Sequence, residues 1–203
     1  MKKNILFITT AIIVVTLLAA FKFADGVLSI GSDLPKGDVK MKEISNEEIS
    51  MNDAKRKNGL LVMFSCNTCP YVMKNQERTK AVCKFALKNN IGVILINSNE
   101  GDRDGGDSFE AMGRYAKDQK YEWYYVVDKN NEIADAFGAK RTPEIFLFDK
   151  NLKLVYHGAI DNNPADASNV TRQHTKEAIT EMLAGKDVSV NESKSVGCGI
   201  KRK

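Results

Sequence analysis

Leu60-Leu61-Val62-Met63-Phe64-Ser65-Cys66-Asn67-Thr68-Cys69-Pro70 decides how this chain folds. Five consecutive apolar residues suit a strand buried on both faces, since a half-exposed strand would alternate. That strand runs into a C-x-x-C, and Cys69 to Leu87 then reads as helix, with Pro70 tolerated in its first turn. Two thiols so spaced can close a small disulfide and reopen it. Unpaired N–H groups at the helix start favour the thiolate, the form that attacks disulfides. A C-x-x-C between strand and helix therefore marks a thiol redox site.

Working outward, Val39 to Ile44 and Ile49 to Met51 predict short strands, and Asn52 to Lys57 a helical turn broken by Gly59. Ile91 to Ile96 is a second buried strand. Asn97 to Asp107, with three Gly and three Asp, predicts a solvent-facing loop. Its order does not fit a calcium loop. Ser108 caps a helix to about Gln119; Tyr121 to Val127 is a strand, and Glu132 to Phe137 a short helix stopped by Gly138. Glu144 to Phe148 and Leu152 to Gly158 form a hairpin, and Thr171 to Leu183 is the last amphipathic helix. This alternation predicts an α/β fold, a central sheet with helices on both faces.

The chain has 203 residues, 43% hydrophobic and 28% charged, enough for one domain with a sizeable core. A net charge of +4 with no basic–aromatic patch argues against a nucleic-acid partner. Lys2 and Lys3 precede an apolar run from Ile5 to Phe21, the layout of an export signal. At ~1.5 Å per residue the run spans roughly 25 Å, so a cleaved leader and a membrane anchor both fit. The expected organisation is residues 1–26 as signal peptide or anchor, 27–190 as the domain, and 191–203 as a tail carrying Cys198. The expected location is outside the cytoplasm, periplasmic or membrane-anchored. With one C-x-x-C and with His157 and His174 isolated, neither a metal site nor a bound cofactor is expected.

Arg141-Thr142-Pro143 precedes the strand Glu144 to Phe148, where a proline punctuates a strand start. Five blocks together resemble one family: Phe64-x-Cys66-Asn67-x-Cys69-Pro70-Tyr71-Val72; Ile96-Asn97-Ser98-Asn99; Thr142-Pro143-Glu144-Ile145-Phe146-Leu147-Phe148-Asp149; Tyr156-His157-Gly158-x-Ile160-Asp161; and Gly197-Cys198-x-Ile200-Lys201. They resemble the peroxiredoxin-like branch of thioredoxin-fold proteins, grouped with the alkyl hydroperoxide reductase and thiol-specific antioxidant proteins. The resemblance implies a thioredoxin-like sheet. It also implies a cis Thr142–Pro143 bond beside the cysteines, in a loop that helps hold substrate chain.

Those expectations lead to a thiol–disulfide oxidoreductase cycling Cys66 and Cys69, with Cys66 as nucleophile and Cys69 as resolving thiol. Its partners would be protein or small-molecule disulfides and thiols, and an upstream redox partner. Two alternatives stay open: a peroxiredoxin-like antioxidant peroxidase, and a non-catalytic module with a structural disulfide. The peroxidase alternative is disfavoured because Pro143 stands where the peroxiredoxin arginine would fall, with Arg141 two residues away. Cys83, about 21 Å along the helix from Cys69, is expected to be a buried free thiol. Cys198, flanked by Gly197 and Gly199, is expected to sit on a mobile or weakly docked tail as an accessory thiol.

Overall fold

The computed structural model describes residues 26–203. The expected export segment falls almost wholly outside these residues. In chain order the elements are β1 (Met41–Lys42), β2 (Glu48–Ile49), α1 (Met51–Ala54), β3 (Leu60–Phe64), α2 (Pro70–Lys74), α3 (Gln76–Lys88), β4 (Gly92–Asn97) and α4 (Phe109–Gln119). There follow β5 (Tyr124–Val127), α5 (Glu132–Phe137), β6 (Arg141–Thr142), β7 (Glu144–Phe148), β8 (Leu154–Gly158), α6 (His174–Leu183) and β9 (Cys198–Gly199). Among the described residues no helix is long and apolar enough to cross a membrane.

The sheet order is β5-β4-β3-β7-β8, with β3 parallel to β4 and antiparallel to β7. The apolar run is thus the central strand, and its pleat feeds two cores. Leu61 and Met63 pack with Val82, Cys83 and Ala86 of α3 and with Ala178 and Ile179 of α6. Leu60, Val62 and Phe64 face the opposite way, towards Met51 and Ala54 of α1 and Phe137 of α5. Phe64, Phe137 and Phe146 meet edge to face, with centroids 5.0–5.7 Å apart. A mixed sheet covered by helices on both faces is the α/β architecture expected, with β3 delivering its C-terminal end to the cysteines.

Gly92 opens β4 under α1. A Cβ there would lie 1.9 Å from the Ala54 carbonyl oxygen, a backbone atom that cannot swing aside. Gly92→Ala should therefore cost about 2 kcal/mol or more by overpacking, read as a lower midpoint in thermal melts. An unchanged melt would mean that α1 is free to shift.

Several boundaries move. The helix expected from Cys69 to Leu87 is divided at Asn75, whose side-chain amide donates to Tyr71 O (2.7 Å) and Pro164 O (3.0 Å). Those bonds draw the first turn towards the loop after β8. The stretch Asn97 to Asp107 is not solvent-facing throughout: Asn97, Ser98, Asn99, Glu100 and Asp107 are buried. Their polar groups bond to one another, which is how a polar loop tolerates burial.

The tail is neither mobile nor weakly docked. β9 pairs antiparallel with β6, matching Thr142 to Cys198 and Arg141 to Gly199. Ile200 N–H donates to Lys140 O (3.0 Å), Gly101 N–H to Lys201 O (2.7 Å) and Lys201 N–H to Asn99 Oδ1 (2.9 Å). Backbone pairing and the burial of Ile200 replace the apolar surface that Val188 to Ser195 lacks. Cys83 is buried in the core and free, as expected.

Candidate functional site

The site is assembled where β3 ends. Ser65 N–H continues the ladder to Ile96 O (2.9 Å), and the chain then turns through Cys66-Asn67-Thr68 to Cys69, the N-cap of α2. Pro70 follows at the first helical position, where its missing N–H leaves no gap. The Thr142–Pro143 bond is cis, as the family resemblance implied. Thr142 touches both thiols: its Oγ1 lies 3.3 Å from Cys66 Sγ, and its carbonyl oxygen 3.3 Å from Cys69 Sγ. Cys66, Cys69 and Val72 form a small buried cluster with Tyr71 and Cys198 packed against it. The expected site residues Cys66, Cys69, Thr142, Pro143 and Cys198 therefore converge, with Gly197 seated against Thr142 O and Pro143 N.

Thiolate character concentrates at Cys69. The Cys66 thiol donates to its sulfur, outweighing burial, and the Cys198 thiol and the Val72 and Cys198 amide groups add further bonds; together they hold the Cys69 thiol well below its ordinary range. Cys66 moves the opposite way, pushed up as the donor to Cys69, by burial and by the Asp107 charge. The expected assignment gives the nucleophilic role to Cys66; the directions of these shifts favour Cys69 for it. Standing before the helix rather than at its cap, Cys66 lacks the amide donors that favour a thiolate.

The pairing expectation also needs correction. All four cysteines are free, so no Cys66–Cys69 bridge is formed in this structure. Nor are Cys66 and Cys69 arranged as a self-contained C-x-x-C pair, because Cys69 shares its sulfur with Cys198 as well. A thiol–disulfide oxidoreductase built on an isolated Cys66–Cys69 pair is therefore not what the fold presents. Arg141, considered for the peroxidase alternative, donates to Gly197 O (3.0 Å) and so serves the tail.

Asp107 holds the cysteine turn from beneath, and sequence reasoning missed it. Its carboxylate accepts from Asn67 N–H (2.7 Å), Thr68 Oγ1 (2.9 Å), Asn97 Nδ2 (2.9 Å) and Asn99 Nδ2 (2.8 Å). Burial pushes this carboxyl up, but those bonds outweigh it and leave the group below its usual range. Tyr125 O–H adds a bond to Asn67 Oδ1 (2.9 Å). The available signal was the run of Asn97, Ser98 and Asn99 at the carboxyl end of a buried strand, where α/β sheets gather their polar sites.

Glu144 does the same for the proline loop. It accepts from the Lys140 and Arg141 amides (2.8 and 2.9 Å) and bonds to His157 Nε2 (2.8 Å), tying β6 to β8. Among the described residues no group of three or more His, Cys, Asp or Glu side chains is arranged to hold a metal ion.

Comparison with known proteins agrees with this geometry. The family model described as Redoxin matches residues 30–173. An uncharacterised conserved protein from Geobacillus kaustophilus superposes with a TM-score of 0.80 at 29% identity, covering 86% of this chain and 93% of its own. A hypothetical protein from Sinorhizobium meliloti gives 0.80 at 28% identity, over 88% and 97%. The peroxidoxin BcpB of Mycobacterium tuberculosis shares the fold at 12% identity, with a TM-score of 0.57 over 77% and 97%. No curated protein matches the chain significantly.

Proposed function

The chain belongs to the Redoxin family, whose fold supports thiol–disulfide redox chemistry, and from that premise we propose an oxidoreductase whose reacting group is the Cys69 thiolate. One observation supports the reading: Cys69 is the N-cap of α2, where helix N–H groups favour a thiolate, and it shares a small buried cluster with Cys66, Val72 and Cys198. A sulfur so surrounded is ionised at neutral pH and attacks a disulfide, whereas Cys66 supplies a proton-bearing donor that steadies the anion. Substrates are thiols and disulfides of proteins or small molecules, and a reduced partner resets the enzyme. The loop around Thr142 and Pro143 is where an extended substrate chain would lie.

Alkylation of the reduced protein tests the assignment. With iodoacetamide between pH 5 and 9, Cys69 should react first and be close to its plateau at pH 7, while Cys66 stays silent until alkaline pH. The sign follows from the bonds: donors around Cys69 stabilise its charged form, and burial beside Asp107 disfavours that of Cys66. Labelling of Cys66 ahead of Cys69 would defeat it.

We also propose that the enzyme works outside the cytoplasm. Lys2, Lys3 and the apolar run Ile5 to Phe21 support it. Deleting residues 1–26 should leave the protein in the cytosolic fraction; unchanged export would refute the proposal.

A further inference from the structure

A second thiol beside Cys66 lies against Cys69. Cys198 sits opposite Thr142 in the β6–β9 pair, in the strand register that lays it against Cys66, Cys69 and Val72. The tail is held on both sides of it. Upstream, Arg141 Nη1 donates to Gly197 O (3.0 Å), and Gly197 lies so close to Thr142 that a Cβ would be 2.1 Å from the Thr142 oxygen. Downstream, Lys201 Nζ donates to Asp102 Oδ2 (3.0 Å) and Thr68 Oγ1 (3.2 Å), and Arg202 Nη2 to Ala139 O (2.8 Å). The tail is thus aimed at the site, with a half-buried thiol at its point of contact.

We propose that Cys198 is the resolving thiol, closing a Cys69–Cys198 disulfide and expelling the second half of the substrate. This rests on Cys69 being the reacting thiolate. The Cys69 sulfur attacks a substrate disulfide, forming a mixed disulfide and releasing one substrate thiolate. Cys198 then loses its proton to solvent and attacks the Cys69 sulfur; the Cys69–substrate bond breaks and the second thiolate leaves. One substrate disulfide is reduced and two protein thiols are oxidised. An external dithiol returns the enzyme to its starting state by accepting the reverse exchange.

Cys198 suits this second step better than Cys66. Cys66 is enclosed and sits beside the buried Asp107 carboxylate, which opposes its ionisation. Burial and then the bond to Cys69 and its charge hold the Cys198 thiol above its ordinary value. Once Cys69 is capped by substrate, the charge is gone, and the Tyr71 amide and Lys201, which favour ionisation, remain. Attack on substrate thereby prepares the resolving thiol.

The test uses the full chain, reduced, with one equivalent of a nitrobenzoate disulfide whose released thiolate is yellow. Wild type should release two thiolates in quick succession, and peptide mapping should then find Cys69 linked to Cys198. In Cys198→Ser the first release should persist and the second slow by roughly 100-fold, the loss expected when a thiol held at high effective concentration is removed. Gly197→Ala, which keeps Cys198 but pushes the tail off Thr142, should slow the second release more than the first, since the same shift also withdraws the Cys198 donors from Cys69. A dominant Cys66–Cys69 linkage, or a second release unchanged in Cys198→Ser, would overturn the proposal. A first release that survives Cys69→Ser would instead refute the Cys69 reading beneath it.

Discussion

Cys69→Ser should remove reaction with a disulfide almost entirely, by roughly 1000-fold or more at pH 7, the scale on which loss of a reacting nucleophile registers. A serine hydroxyl stays protonated in surroundings that ionise a thiol, so donors on its oxygen cannot make it attack. Cys66 should behave differently because its part is to donate. Cys66→Ser keeps an O–H to donate to Cys69 and should retain most of the first-step rate, whereas Cys66→Ala removes the donor that does most to lower the Cys69 pKa. In that variant the pH at which the rate rises should shift upward. Stopped-flow release of the nitrobenzoate thiolate across pH distinguishes the three proteins. If Cys66→Ser were inactive and Cys69→Ser active, the polarity drawn from the hydrogen bonds would be wrong.

That polarity is the part of the site hardest to see in the sequence. The apolar strand before the cysteines and the proline after Thr142 are local patterns, and both found their place. Leu60–Phe64 and Glu144–Phe148 even kept their boundaries, because burial on both faces leaves a strand no freedom of register. Which sulfur ionises depends on groups far along the chain: Cys198, brought over Cys69 by β9, and Asp107, set beneath Cys66 by the loop after β4. A stretch such as Val188 to Ser195, poor in apolar residues, gives no sign that backbone pairing further on will dock it. The same holds for Asp107, whose Gly- and Asp-rich neighbourhood has the composition of an exposed loop. Its burial is set by Asn67, Thr68, Asn97 and Asn99, which jointly satisfy it.

Asp107→Ala should be the most destabilising change at the site. It leaves the Asn67 amide, the Thr68 hydroxyl and the side-chain amides of Asn97 and Asn99 without their acceptor. An unsatisfied buried donor costs ~1–3 kcal/mol. With partial repairing among the four, a loss of about 3–5 kcal/mol is expected, or roughly 10 °C of melting temperature for a chain of this size. The effect should depend on pH with a definite sign. Asp107's folded pKa lies below its unfolded value, so its stabilisation is fully present above the unfolded pKa of about 3.9 and is lost as pH falls through the folded one. The melting gap between wild type and Asp107→Ala should therefore be widest near neutrality and narrow below about pH 4. A gap that widened on acidification would show that the carboxylate is not the stabilising species. Asp107→Asn adds a chemical readout, because it removes the negative charge that opposes Cys66 ionisation. Alkylation of Cys66 should then begin at lower pH than in wild type, so one buried carboxylate both fastens the cysteine turn and keeps Cys66 in the protonated form from which it donates to Cys69.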